Sequence, residues 1–321
     1  MRTKDDIIKA IREKDRKNKL YVHPVIPPET LAKYISAFAN SNGGDIIFGI
    51  HDDGVNLHTK KFTFSLQFEK VRKLLNTNIN CIVDEIKYNG EIFPYISIDK
   101  SNELVEVYNI PYIINDDGVI VEMKQNKVFI SYNHTDKDLA DLIENSLDKQ
   151  KDIIVTRDIN VNNYRDDLDK FMKTIRDHDY IISIVTREYL MSLNCMYEIT
   201  EGMKDYNFIE KLLFIIVNKE DSHYYPGDNI SDIKSNVYEP DQRLEYIIHW
   251  DERYKDMVDK YKNADLPPEN AIEYTLDIRK LKSVISSTSE FMHLLKDKIG
   301  RSFDQIQKND FEILKDVIKG K

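Results

Sequence analysis

Two stretches decide the fold of this chain: Lys127–Ile143, KVFISYNHTDKDLADLI, and Asp179–Ile199, DYIISIVTREYLMSLNCMYEI. Each opens on an apolar run, Val128-Phe129-Ile130 and Tyr180 to Val185, that is short and apolar on both sides. That is the pattern of a strand buried within a parallel sheet. After the first run, Leu139, Leu142, Ile143 and Leu147 recur along one helical face. Thr135 is the expected N-cap, with Asp138 at the capping-box position. Ile153-Ile154-Val155 and Leu212 to Val217 are further apolar runs. Leu168, Phe171, Met172 and Ile175 mark a second helix, and a third is expected from about Leu190 to Lys204. Tyr246-Ile247-Ile248 is a candidate fifth strand. Strand and helix alternate, so residues 126–321 are expected to form an α/β domain. Its centre is a flavodoxin-like parallel sheet with flanking helices, and it ends in a helical extension whose segments 290–295 and 303–318 are amphipathic.

Residues 1–125 read differently, as a smaller α+β domain. Ile7, Ile8 and Ile11 mark a short amphipathic helix within residues 3–17. Pro24 to Pro28 are extended, and Leu31, Tyr34, Ile35, Phe38 and Ala39 then fall at helical spacing behind Pro27-Pro28. Asn40 to Gly44 end that helix, and Asp45 to Ile50 are a buried strand. CIVDEIKY and EIFPYISI flank Asn89-Gly90, a hairpin signal, and Pro94 predicts that the second arm lies at a sheet edge. Gly43, Gly44 and Gly49 suit tight turns better than a phosphate cradle. Neither GxxxxGK[ST] nor GxGxxG occurs, which argues against a P-loop NTPase and an ordinary dinucleotide dehydrogenase.

The chain has 321 residues, 46 of them basic and 56 acidic, for a net charge of −10. The acidity is not shared evenly: residues 1–125 hold 17 basic and 18 acidic side chains, and the remainder 29 and 38. An overall positive field for nucleic acid is therefore absent. Lys60, Lys61, Lys70, Arg72 and Lys73 read as a solvated face. Cys81 and Cys195 stand far apart with no CxxC, so neither a disulfide framework nor a zinc site is expected, and no metal ligands are assigned. The first twenty residues lack an apolar core, and no apolar run has the length of a membrane span, so a cytoplasmic protein is expected.

In the first part, AFANSNGGDIIFGIHDDG (37–54) resembles the AlbA-like domain of Schlafen-related bacterial proteins, a family associated with nucleic-acid binding. In the second, three features in order resemble a bacterial Toll/interleukin-1 receptor (TIR) domain. They are FISY at the end of the first strand, Arg157-Asp158 after the second, and Ser192, Cys195 and Glu198 in SLNCMYE. The resemblance implies an NAD nucleosidase, a glycohydrolase or ADP-ribosyl cyclase, with Glu198 as the catalytic residue. NAD is then the substrate, and no cofactor is implied. It further implies anti-phage defence, self-association through either part, and nucleic acid or a phage-derived trigger as the partner of the first part.

The residues support that chemistry on their own terms. In an open α/β sheet ligands bind beyond the carboxyl ends of the strands. Ser131, Tyr132 and Asn133 lie at one such end, and Arg157 and Asp158 at the next. Ser192, Cys195 and Glu198 recur every three residues along one flank of a helix, where a charged Glu198 among apolar neighbours is unusual. Ordinary glycosidases need two carboxyl groups because a sugar alkoxide must be protonated as it leaves. Nicotinamide leaves NAD as a neutral molecule, so one carboxylate near the ribose suffices. Arg157 is the candidate for the pyrophosphate and Tyr132 for ring stacking; Ser131, Asn133, Asp158, Ser192 and Cys195 complete the candidate substrate-binding set. RDINVNNYRDD (157–167) matches the segment TIR domains use for assembly. Two rival classes remain: a non-catalytic interaction scaffold, and a nucleic-acid-binding regulator acting through residues 1–125.

Overall fold

The computed structural model describes residues 3–59, 68–157, 175–225, 233–264, 268–297 and 300–320, and the chain divides into two compact units, Met1–Lys124 and Gln125–Lys321. The expected helix at Leu168 to Ile175 lies outside the described residues except for Ile175. So do residues 158–167 of the Asn-rich segment, and Lys60 and Lys61. Among the described residues no helix is long and apolar enough to cross a membrane.

Unit 1 opens with α1 (Lys4–Glu13), begun by a capping box in which Thr3 and Asp6 satisfy each other's backbone N–H. β1 (Lys19–Val22), α2 (Pro28–Asn40) and β2 (Gly44–Phe48) follow, then a small hairpin of β3 (Ile50–Asp52) and β4 (Leu57–Thr59). After α3 (Phe68–Arg72) comes the long hairpin of β5 (Cys81–Tyr88) and β6 (Glu91–Ile98), turned by Asn89 and Gly90 at φ 50° and 84°. Three short strands, β7 (Glu106–Val107), β8 (Ile110–Ile114) and β9 (Ile120–Glu122), form a separate sheet. The main sheet runs β1-β2-β6-β5, with β1 parallel to β2 and the other pairs antiparallel. Both faces are covered, which is why every residue of GDIIF is buried. Ile46, Phe48 and Ile96 pack under α2, and Ile47, Phe93 and Tyr95 under α1.

The second arm of the hairpin is interior, not at the edge that Pro94 suggested; β5 is the outer strand. Pairing of β6 with β2 begins at Tyr95, one residue past Pro94, so the missing N–H is not required on that side. The glycines serve backbone geometry. Gly43 has φ +68°, and a Cβ on Gly44 would fall 2.2 Å from the Phe38 ring.

Unit 2 contains β10 (Asn126–Ser131), α4 (Lys137–Leu147), β11 (Ile153–Arg157), β12 (Tyr180–Val185), α5 (Arg187–Met191), α6 (Leu193–Gly202), α7 (Phe208–Lys211) and β13 (Leu212–Ile216). Two long helices follow, α8 (Pro240–Asn263) and α9 (Pro268–Asp297), then β14 (Arg301–Ser302), α10 (Phe303–Gln307) and α11 (Glu312–Ile318). The sheet order is β11-β10-β12-β13-β14 and every pairing is parallel, the flavodoxin-like arrangement expected. Alternation along the strands divides the core. Phe129, Ile181 and Val185 face Tyr189, Met196, Trp250 and Phe291, while Val128, Ile130 and Ile182 face Leu139, Ile143 and Leu314.

Three local expectations are corrected. Tyr246-Ile247-Ile248 lies inside α8, and three apolar residues are too few to set a period. The pair Tyr246 and Trp250, both buried and one helical turn apart, does set it. The fifth strand is instead Arg301–Ser302, too short to show a pattern. Thr135 does not cap α4: Asn133 Oδ1 accepts from the Thr135 N–H at 3.1 Å and starts a 3₁₀ turn, His134–Asp136, ahead of the helix. The third helix is broken at Ser192, which is extended and caps α6. The segment 303–318 is helical as expected, in two helices divided where Asp310 and Phe311 take positive φ.

Candidate functional site at the carboxyl ends of the parallel strands

All strands of the unit 2 sheet point the same way, so Ser131, Arg157 and Val185 end β10, β11 and β12 on one edge. The α5–α6 break aims helix α6 across that edge. Thr186 caps α5 by accepting from the Tyr189 N–H at 3.1 Å, and Ser192 caps α6 by accepting from the Cys195 N–H at 3.4 Å. This places Glu198, 3% exposed, directly over the end of β10.

Ser131 Oγ donates to Glu198 Oε2 at 2.5 Å and lies 2.8 Å from the Tyr189 hydroxyl, which in turn lies 3.3 Å from Ser183 Oγ. Each hydroxyl has one proton. Ser131's proton goes to Glu198, and the Tyr189 hydroxyl, which donates to Ser183 Oγ, lies against Ser131 from behind. Ser131 is thus the donor that faces the carboxylate, with the Tyr189 hydroxyl packed behind it. Burial first, then the nearby Cys195 and Glu198, push the Tyr189 phenol well above its usual range, so it remains a donor. Tyr189 was not singled out by the sequence, where it reads as one more core residue on an apolar face. No spacing signals where a phenol's oxygen will point.

The other candidates divide. Tyr132 is 7% exposed; its carbonyl accepts from Cys195 Sγ at 3.5 Å, which ties α6 to the end of β10. Cys195 also packs within the core. Arg157 Nη1 donates to Asp141 at 2.6 Å and Nη2 to Glu144, both on α4, and its guanidinium lies 5.6 Å from the centre of the Tyr132 ring. Burial lowers its pKa, but those carboxylates outweigh it and the net shift is upward. Asn133 and Ser192 are engaged in caps. The structure therefore gathers Ser131, Tyr132, Cys195 and Glu198 at the end of β10, with Arg157 drawn to Asp141 and Glu144 beside the Tyr132 ring. It holds Asn133 and Ser192 in turns. Asp158 lies outside the described residues.

A second buried carboxyl group organises the loops around this edge. Asp136 is 2% exposed and accepts from Thr186 Oγ1 at 2.8 Å and from the Tyr225 hydroxyl at 2.9 Å, joining the segments that follow β10, β12 and β13. Burial pushes its pKa up to about 6, against the hydroxyl donors that hold it down. Because the folded pKa lies above the unfolded one, the folded state binds the extra proton between pH 3.8 and about 6. Stability from this group therefore falls as pH rises through that window. Asp136→Asn, which removes the titration, is expected to gain roughly 2 kcal/mol on the wild type between pH 4 and pH 7. Urea unfolding at the two pH values checks this, and a difference that does not move with pH refutes it.

The comparisons with known proteins fall on the same two units. A family model described as Schlafen, AlbA_2 matches residues 6–140, and a TIR domain model matches residues 128–248. The overlap, 128–140, belongs to the second unit, because Val128 to Ser131 pair with β11 and β12. No curated protein matches the chain. Among solved structures, the DIP2311 protein from Corynebacterium diphtheriae is similar at 13% identity over 44% of this chain, with a TM-score of 0.30. The match spans about a third of that protein's chain, 34%. With motif, sheet topology and family models in agreement, the chain joins an N-terminal Schlafen AlbA_2 domain to a C-terminal TIR domain.

Proposed function

We propose that the TIR unit is an NAD nucleosidase in which Glu198 stabilises the positive charge that develops on the ribose as nicotinamide departs. The observation that carries this reading is the position of Glu198: a buried carboxyl group fixed over the carboxyl end of a parallel strand by a relay of hydroxyls. In the reaction the C1′–N bond breaks and its electron pair goes to the pyridinium ring, which leaves neutral. The ribose is left oxocarbenium-like, and a water or a second position of the same nucleotide closes on C1′, giving linear or cyclic ADP-ribose. A preorganised carboxylate in a dry site lowers that barrier, since its charge is not dispersed into solvent.

At 3% exposure the carboxylate is closed to substrate in the single chain. Self-association that opens the site makes the activity switchable, and unit 1 then senses the trigger or drives the assembly. This fits a defence enzyme that acts on NAD only when phage is present. Concentrated chain incubated with NAD is expected to release nicotinamide, with a rate per chain that rises with protein concentration. No release at any concentration, with or without phage lysate, refutes the reading.

Tyr189 acts through Ser131 as a positioning residue. Tyr189→Phe keeps the ring in the core and removes the hydroxyl that holds Ser131 in place, so nicotinamide release is expected to fall about tenfold through kcat with little change in KM. A KM effect alone would show that Tyr189 does not position the carboxylate.

A further inference from the structure

The outer edge of β5 in unit 1 is an eight-residue strand with nothing paired to it among the described residues. Such an edge presents backbone N–H and C=O groups to any strand that can reach it, and here the Glu85 N–H is held locally by Asp84 Oδ1 at 2.8 Å, a contact that an incoming carbonyl would replace. Short length, a bulge, a proline or charged side chains commonly blunt these edges; β5 has none of the first three but carries Asp84, Glu85 and Lys87, so only a partner that answers those charges can pair with it. Val83, Glu85 and Lys87 are exposed on one face of the strand, Val83 at 42%, beside Ile92 on β6 at 57%. A cleft of about 360 Å³ lies along the same strand, lined by Lys4, Ile8, Glu85, Ile86, Lys87 and Ile92.

We propose that this edge pairs antiparallel with the same edge of a second copy, about a two-fold axis through Ile86, to form one continuous sheet across the dimer. The charge pattern selects both the partner and the register. A two-fold axis perpendicular to the sheet keeps each side chain on its own face and sets each residue opposite one equally far on the other side of the axis. An axis at Asp84, Glu85 or Lys87 sets a charged residue against its own copy. With the axis at Ile86, Glu85 faces the partner's Lys87 and Lys87 faces the partner's Glu85, two opposite-charge pairs on the exposed face. Asp84 then faces the partner's Tyr88, and its charge is already met by Lys4 at 2.8 Å. Glu85 and Lys87 form no ion pair among the described residues, so both are available for the contact. The interface stands apart from the NAD reading of unit 2.

Sedimentation velocity of the full chain tests the pairing. The wild type is expected to dimerise, and Glu85→Lys and Lys87→Glu are each expected to raise the dissociation constant about tenfold or more, since each turns two attractive cross-strand pairs repulsive. The double swap, Glu85→Lys with Lys87→Glu, restores both pairs and is expected to return the constant to within a few-fold of the wild type. Both positions are exposed, and the double variant controls for any loss of folding. A wild type that stays monomeric, single variants that leave the dimer intact, or a double variant that fails to recover would each overturn the proposal.

Discussion

Glu198→Gln is expected to lower nicotinamide release by a hundredfold or more while leaving the fold intact. Gln has the shape of Glu and still offers a carbonyl oxygen to Ser131 Oγ, 2.5 Å away in the wild type. What it lacks is the negative charge. Loss of one preorganised electrostatic partner of a transition state costs about a hundredfold to a thousandfold in rate. Glu198 is 3% exposed, so its charge is poorly screened and its loss falls at the high end. The thermal midpoint is expected to hold steady or rise, because burying a neutral amide costs less than burying a carboxylate. Nicotinamide release measured against folded variant at equal concentration decides the matter. A folded Glu198→Gln protein with full activity removes Glu198 from the chemistry, and a scaffold role for the TIR unit then becomes the better account.

Asn40→Leu is expected to destabilise unit 1 by about 3 kcal/mol or more. Asn40 closes the AFAN stretch, and its side chain is a clamp between α2 and the small sheet. Its Oδ1 accepts from the Val105 N–H at 2.9 Å, and its Nδ2 donates to the carbonyls of Val105 at 2.7 Å and Tyr112 at 3.0 Å. Ser36 Oγ shares the work, donating to the Val105 carbonyl and accepting from the Tyr112 N–H. Leucine has a similar size but leaves the Val105 N–H and the Tyr112 carbonyl buried without a partner, and each orphaned group costs roughly 1–3 kcal/mol. That is a large share of the roughly 5–15 kcal/mol that stabilises a typical domain. Hydrogen exchange at residues 104–112 and the urea midpoint both report it; a change under about 0.5 kcal/mol would show that Ser36 alone holds the contact. The motif residue thus has a structural duty that its place in a family signature does not reveal.

Much of the molecule was legible from local pattern. Val128 to Ile130, Tyr180 to Val185 and Leu212 to Ile216 are central parallel strands, legible because a strand covered from both sides is apolar at nearly every position, with Ser183 the exception. The hairpin at Asn89-Gly90 was legible because positive φ at successive residues is costly elsewhere. The failures share one cause. Tyr246 to Ile248 and Pro94 were read from three residues and from one, whereas the outcome was set by what packs on them: Trp250 one helical turn on, and β2 pairing that begins only at Tyr95. Ser192 broke a helix that periodicity alone continued, because its side chain caps the next one.

The site shows the same division. The sequence by itself determined which residue types stand at the ends of the strands, that Glu198 sits on an apolar flank, and that the acidity belongs to the second unit. Only the tertiary structure decided what each of these groups does. It spends Arg157 on Asp141 and Glu144, assigns Asn133 and Ser192 to caps, and brings Tyr189, 58 residues from Ser131, into the relay behind Glu198. The physical reason is that composition and period fix which face a side chain lies on. The direction of a hydrogen bond, and the charge that answers another, depend on residues distant in the chain that only folding brings within 3 Å.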